Sequence, residues 1–223
     1  MSIEIGARGL ARLGREQSRG EEIANSASHG AGVVAALVGG PVLIVEAARR
    51  GHAAFIVGAS IFFTTVVLLY LASTIYHALP AGKAKRVFRV LDHSSIFLLI
   101  AGTYAPFTLG VLRGAWGWAL FGVVWGLAAL GVTLKSIGRA THPIFSTGLY
   151  LAMGWLVAVA IDPLFTRVPL SGLLWLLAGG LFYTAGVAFF AADSRLRYSH
   201  FVWHVFVVAG TVSHYFAVLW YAA

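Results

Sequence analysis

The sequence predicts an all-α membrane protein: a bundle of seven transmembrane helices, with the N-terminus in the cytoplasm and the C-terminus outside. Two observations carry this. Of 223 residues, 59% are hydrophobic and 11% charged, with a mean hydropathy of +0.84, whereas an average soluble domain has about 25% charged residues. Seven apolar stretches also approach or exceed the roughly 20 residues that a helix needs to cross a hydrocarbon core. Backbone polar groups cannot stay unpaired in lipid, so each stretch is read as a helix. A barrel is excluded because the stretches are continuously apolar and do not alternate.

The first stretch, Ala24–Ala48, closes at Arg49-Arg50-Gly51. The second, Ala53–Leu79, closes at Pro80-Ala81-Gly82. The third, Val90–Leu112, follows a basic segment and stops at Arg113-Gly114. The fourth is Ala115–Leu134. The fifth, Ile144–Ile161, is the shortest and lies between Gly138 with Pro143 and Asp162-Pro163. The sixth, Leu170–Ala192, closes at Asp193-Ser194, and the seventh is His200–Ala222. Glycine, proline and charged residues punctuate each break. Pro41 and Pro106 fall inside predicted helices and are expected to kink them. Gly122 and Gly126 have the small-xxx-small spacing of close helix packing. Trp116, Trp118, Trp220 and Tyr221 are expected as anchors at the membrane interface. Residues 1–22 read as a charged cytoplasmic arm, and 23–223 as a single seven-helix domain. The arm has no apolar core segment and so does not read as a signal peptide.

Orientation follows from the basic residues. Twelve of the sixteen Lys and Arg fall on the N-terminal side of this topology and four, Arg49, Arg50, Arg113 and Arg167, on the other. The positive-inside rule then places the N-terminus in the cytoplasm. This is opposite to the rhodopsin-like receptors. The net charge of +8 does not point to nucleic acid, because the basic residues flank apolar runs. Cysteine is absent, which removes disulfides, thiolate metal sites and cysteine nucleophiles.

The seventh stretch opens on Ser199-His200-Phe201-Val202-Trp203-His204. Histidines four residues apart lie on one helix face, one turn apart. Threading the topology brings other polar residues to the same depth: Asn25, Ser28 and His29 on the first helix, Ser73 and His77 on the second, Asp92 and His93 on the third. His52 and His214 fall in the outer half, and His142 in a cytoplasmic loop. Each residue has an ordinary reading alone. A buried histidine is commonly hydrogen-bonded to backbone. Ser73 can bond to the carbonyl one turn earlier. Asp92 can sit near a helix start or pair with Arg89, and Asn25 or Ser26 can be an N-cap. None of these readings requires a shared depth, and ionisable groups inside a membrane are costly to keep without a function.

The chemistry suits zinc. His77, His200 and His204 supply three imidazoles and leave a fourth tetrahedral position open, the pattern of a catalytic site. The cation would lower the pKa of a water there to about 7. Asp92 could accept that proton as general base, and Ser73, one turn before His77, could orient the water or a ligand. Glu22 and Asp193 are the other acids nearby, at the membrane edge. His214 lies ten residues beyond His204, about 15 Å along the axis. That is too far for one zinc with bonds of about 2 Å, so His214 is expected to be hydrogen-bonded within the bundle.

The set Glu22-x-x-Asn25-x-x-x-His29, Ser73-x-x-x-His77, Asp92-His93 and His200-x-x-x-His204 resembles the bacterial haemolysin III family. These are relatives of the progestin and adipoQ receptors, within a wider group that includes alkaline ceramidases. The resemblance covers Glu21 to Ala223. It implies a seven-helix fold in a bacterial plasma membrane, with zinc near the cytoplasmic face. It implies His77, His200 and His204 as ligands, with Ser73 and Asp92 around the reacting water; Glu22, Asn25 and His29 match the first family motif, which assigns them no role, and Asn25, His29 and His93 are read as candidates for an outer layer. It also implies hydrolysis of a membrane lipid amide or ester and a part in membrane lipid homeostasis. Two other readings follow from the same family: a cytolytic pore, and a lipid-state receptor with structural zinc. Against a pore, no polar stripe crosses the bilayer.

Overall fold

A computed structural model describes residues 15–50, 53–138 and 143–223. Most of the arm, and His52 and His142, lie outside the described residues. Among those described the chain is helical, without strands. It forms α1 (Arg19–Arg49), α2 (Ala53–Ala78), α3 (Lys83–Leu109), α4 (Ala115–Ser136) and α5 (Pro143–Trp155). A 3₁₀ stretch, Leu156–Ala160, leads into α6 (Ile161–Arg167), followed by α7 (Leu170–Ala192) and α8 (Ser199–Tyr221). The segment from α5 through α6 is one apolar run, so the described helices make seven rods. Six rods are long and apolar enough to cross a membrane; the exception is α3. Its first two turns carry Lys83, Lys85, Arg86 and Arg89, yet further along Phe97, Ala101 and Ala105 are fully buried.

Three boundaries differ from the sequence reading. Helix α1 starts at Arg19 instead of Ala24, because Ser18 caps it. The Ser18 hydroxyl accepts from the Glu21 N–H, and the Glu21 carboxylate accepts from the Ser18 N–H at 2.9 Å, a capping box. Asn25 and Ser26, the expected caps, therefore lie inside the helix. Helix α3 starts at Lys83, since straight-chain Lys and Arg are good helix formers. The expected break at Asp162-Pro163 is absent. Pro163 sits in the first turn of α6, where its missing N–H costs nothing. The chain breaks instead at Val168, which is extended before Pro169 (φ −112°, ψ 126°), as a residue preceding proline prefers.

The rods form a closed ring. Helix α1 packs between α2 and α8, α3 between α2 and α4, α7 against α8, and α5 bridges α3 and α4 to α7. One apolar core joins α1, α2, α3 and α8 around Phe55, Phe62 and Leu69. A second joins α3, α4 and α5 around Phe97, Val124 and Met153. Small residues set the close approaches. A Cβ on Gly58 would stand 2.6 Å from the Ala105 carbonyl, so α2 and α3 touch backbone to backbone. Gly179 and Gly186 of α7 make room for the His214 and Trp203 rings of α8. Gly122 and Gly126 do not pack inside the bundle, for a Cβ on either meets nothing within 4 Å among the described residues. Val34, Val38, Leu174 and Leu181 are exposed on the outer surface, as lipid-facing residues are.

Candidate metal centre

The start of α1, the end of α2, the start of α3 and the start of α8 meet at one end of the ring. His77 lies in the last turn of α2, and His200 and His204 in the first two turns of α8. Each offers one ligand-competent atom, and these atoms all lie within 4.8 Å of one another. Ring centroids are 5.2 Å apart for His77 and His200, 5.1 Å for His77 and His204, and 4.7 Å for His200 and His204. His77 and His204 are buried and His200 is half-buried.

Two of the three imidazoles are aimed by an oxygen hydrogen-bonded at Nδ1, and the third, His200, has a carboxylate near its Nδ1 without a hydrogen bond. His77 Nδ1 donates to Glu22 Oε2 at 2.7 Å. A carboxylate only accepts, so the proton sits on Nδ1 and the buried Nε2 is left with no hydrogen-bond partner among the described residues. Glu22 in turn accepts from Lys85 Nζ at 2.7 Å, which also reaches the Leu79 carbonyl. His204 Nδ1 donates to the Asn25 carbonyl at 3.2 Å and lies 3.0 Å from Ser28 Oγ. His200 Nδ1 is 3.3 Å from Asp193 Oδ2. Burial pushes the Asp193 carboxyl up, but His200, Gln17 and Arg15 outweigh it and hold it below its ordinary value. Oxygen partners at Nδ1 are how metal-binding histidines are oriented. Three imidazoles with no thiolate, two of them (His77 at Nε2 and His200 at Nδ1) with a buried nitrogen that has no hydrogen-bond partner among the described residues, fit zinc.

The other residues picked out by the sequence divide. Asp92 is buried and shares a cavity of about 640 Å³ with His29, His93, His200 and His204. Ser73 lies beside Asp92, its hydroxyl buried and without a hydrogen-bond partner among the described residues. His29 stacks on His204 at 3.7 Å with rings 5° from parallel, which makes it a packing partner. His93 lines the cavity, and its carbonyl accepts from Tyr150; it is not part of the three-histidine group. Asn25 is buried and works through its backbone carbonyl as well as its amide. His214 Nε2 donates to the Leu176 carbonyl at 3.2 Å, within the bundle.

Glu22 and Asp193 are the residues whose contacts the sequence did not reveal. One signal was present for Glu22: it lies three residues before Asn25 and seven before His29, on the same helix face. Asp193 gave none, because it meets His200 across a turn of irregular chain.

The profile of the haemolysin-III related family matches residues 17–215. The chain belongs to that family. It is 41% identical over 201 residues to "Hemolysin-3" of Bacillus cereus, covering 90% of this chain and 91% of that one. It is 40% identical to "Hemolysin-3 homolog" of Bacillus subtilis (strain 168), covering 90% and 94%. It is 28% identical over 209 residues to "Monocyte to macrophage differentiation factor" of Homo sapiens, covering 89% and 83%, a distant relative of the progestin and adipoQ receptor type. Six membrane-competent helices and these bacterial haemolysin III relatives make it an integral protein of the bacterial plasma membrane.

Proposed function

We propose that this haemolysin III protein is a zinc-dependent hydrolase of a membrane lipid amide or ester, ceramidase-like in its chemistry, with a part in membrane lipid homeostasis. The observation that carries the reading is the three-histidine group, with the orphaned Nε2 of His77, two of whose members, His200 and His204, share a cavity wall with Asp92. His77, His200 and His204 would hold the metal. When bound there, zinc supplies a Lewis acid that polarises a carbonyl and brings the pKa of water to about 7. Glu22 and Asn25 hold His77 and His204 in place, and the Asp193 carboxylate faces His200. Asp92 accepts a proton from the attacking water and returns it to the leaving amine or alcohol. Ser73 orients the groups around Asp92. The cavity is lined by Arg89 and Lys135 together with Ile96, Leu99, Val207 and His214. Its volume is in the range that takes a small-molecule ligand, and its apolar wall suits an acyl chain. Zinc in the purified protein, with fatty acid released from a panel of lipid amides and esters and stopped by a chelator, is the expected result. Zinc without cleavage of any lipid would turn the reading to a sensor.

In this reading α3 crosses the membrane as a seventh span, residues 23–223 act as one domain, and the histidine group lies on the cytoplasmic side. A reporter fused after Ala223 is expected to be active only outside the cytoplasm, as the twelve-to-four division of basic residues requires. Activity inside would overturn both the orientation and the cytoplasmic placement of the site.

A further inference from the structure

We infer that Gln17 is a positioning residue for the histidine group, its side-chain amide tying the residue that holds His204 to the carboxylate that faces His200. This rests on the zinc reading above. Gln17 precedes α1 and lies beside the last turn of α7. Its Nε2 is 3.1 Å from Asp193 Oδ2 and 3.3 Å from Oδ1, and its Oε1 accepts from Asn25 Nδ2 at 2.6 Å.

The orientation of this bridge is fixed by its ends. The Asp193 carboxylate can only accept, so Gln17 must present its NH₂ there. Its carbonyl oxygen is then left for Asn25, whose NH₂ must face it. Each end meets an imidazole: Asn25 accepts from His204 Nδ1 through its carbonyl at 3.2 Å, and the Asp193 carboxylate faces His200 Nδ1 at 3.3 Å, an ion-pair distance without a hydrogen bond. Asn25 Nδ2 also lies 3.5 Å from His77 Nδ1. Both of those atoms are N–H donors, so that contact is not a hydrogen bond; the Gln17 amide spans α1 and the α7–α8 connection and bears on the surroundings of His204 and His200.

The chain on either side of Gln17 is fastened. Ser18 closes the capping box with Glu21. The Arg15 guanidinium pairs with the buried Glu21 carboxylate and reaches the Leu196 carbonyl at 3.4 Å. Glu21 accepts the Tyr198 N–H at 2.8 Å. Tyr198 has φ 58°, a left-handed conformation that non-glycine residues rarely adopt and that turns the chain directly into α8. Asn25 and Asp193 are therefore bridged by a side chain whose own backbone is anchored to α1 and to the α7–α8 connection.

The test is zinc affinity, measured by competition with a chromogenic chelator on the full-length protein in detergent, for the unmutated chain, Gln17→Ala and Gln17→Glu. Removing a partner of a metal-binding histidine costs about 10–100-fold in affinity. Gln17→Ala acts one bond further out, so about tenfold is expected. Gln17→Glu should lose more, because its carboxylate opposes Asp193 and has no N–H to donate. Cobalt in place of zinc should show a shifted visible absorption in both variants, while the metal-free proteins melt close to the unmutated one. Unchanged affinity and cobalt spectrum would overturn this inference alone. A weaker site with an equally large fall in metal-free melting would also overturn it, by making Gln17 a residue of the fold. An unmutated chain that binds no zinc would overturn both this inference and the hydrolase reading.

Discussion

His204→Ala is expected to strip the metal from the protein and to remove any rise in melting temperature on adding zinc. His204 is 2% exposed, so its ring is core as well as candidate ligand. It stacks on His29 at 3.7 Å, and its Nδ1 is held by Asn25 and Ser28. Truncation leaves a hole where the ring was, and large-to-small changes in cores cost about 2–5 kcal/mol. Losing the ligand adds to this, because binding free energy at a site the unfolded chain lacks is folding free energy. Zinc affinity should fall beyond the roughly 10–100-fold that loss of a ligand's hydrogen-bond partner costs. His214→Ala, on the same helix, should keep its zinc, since His214 Nε2 bonds to the Leu176 carbonyl and lies about 15 Å further along the axis at 1.5 Å per residue. Metal analysis after gel filtration, beside melting curves with and without added zinc, separates the two. Full zinc in His204→Ala would sink the three-histidine assignment.

The helices were legible because apolar runs in a membrane have few alternatives. Leu170–Ala192 is the clearest case, predicted and found with the same limits. Composition failed where helix continues through charge. Arg19 to Glu22 looked like an arm because a run of Arg and Glu has no apolar signal. Its helix is stabilised by contacts outside the helix: Glu21 to nearby Arg15 and to distant Tyr198, and Glu22 to distant His77 and Lys85. Lys83 to Arg89 misled in the same way. The meeting of His77 with His200 and His204 was readable from helix direction alone, since alternate spans carry their ends to the same side. What aims the three rings was not readable. Glu22 had a matching face spacing but no reason to single out His77. Gln17 and Asp193 sit outside the regular helix of their segments, where periodicity says nothing about neighbours.

Asp92→Asn should leave the zinc in place and abolish hydrolysis, with a fall of about 10²–10⁴-fold, the contribution of a positioned general base. The substitution preserves size and leaves an oxygen that can still accept a hydrogen bond. It removes the group able to take a proton from water. Asp92 is buried in the wall that also carries His200 and His204, and three imidazoles already complete the protein's share of an open site. The experiment compares zinc content with fatty-acid release for the unmutated chain and Asp92→Asn on the same lipid panel. Zinc retained with cleavage lost places Asp92 at the reacting water. If Asp92→Asn strips the metal, Asp92 is itself a ligand. The site is then a closed four-ligand one of the kind that holds structural zinc, and a lipid sensor becomes the better account of the cavity. If Asp92→Asn cleaves as fast as the unmutated chain, the proton goes elsewhere, and the half-buried acids Glu22 and Asp193, each against an imidazole, become the groups to replace next.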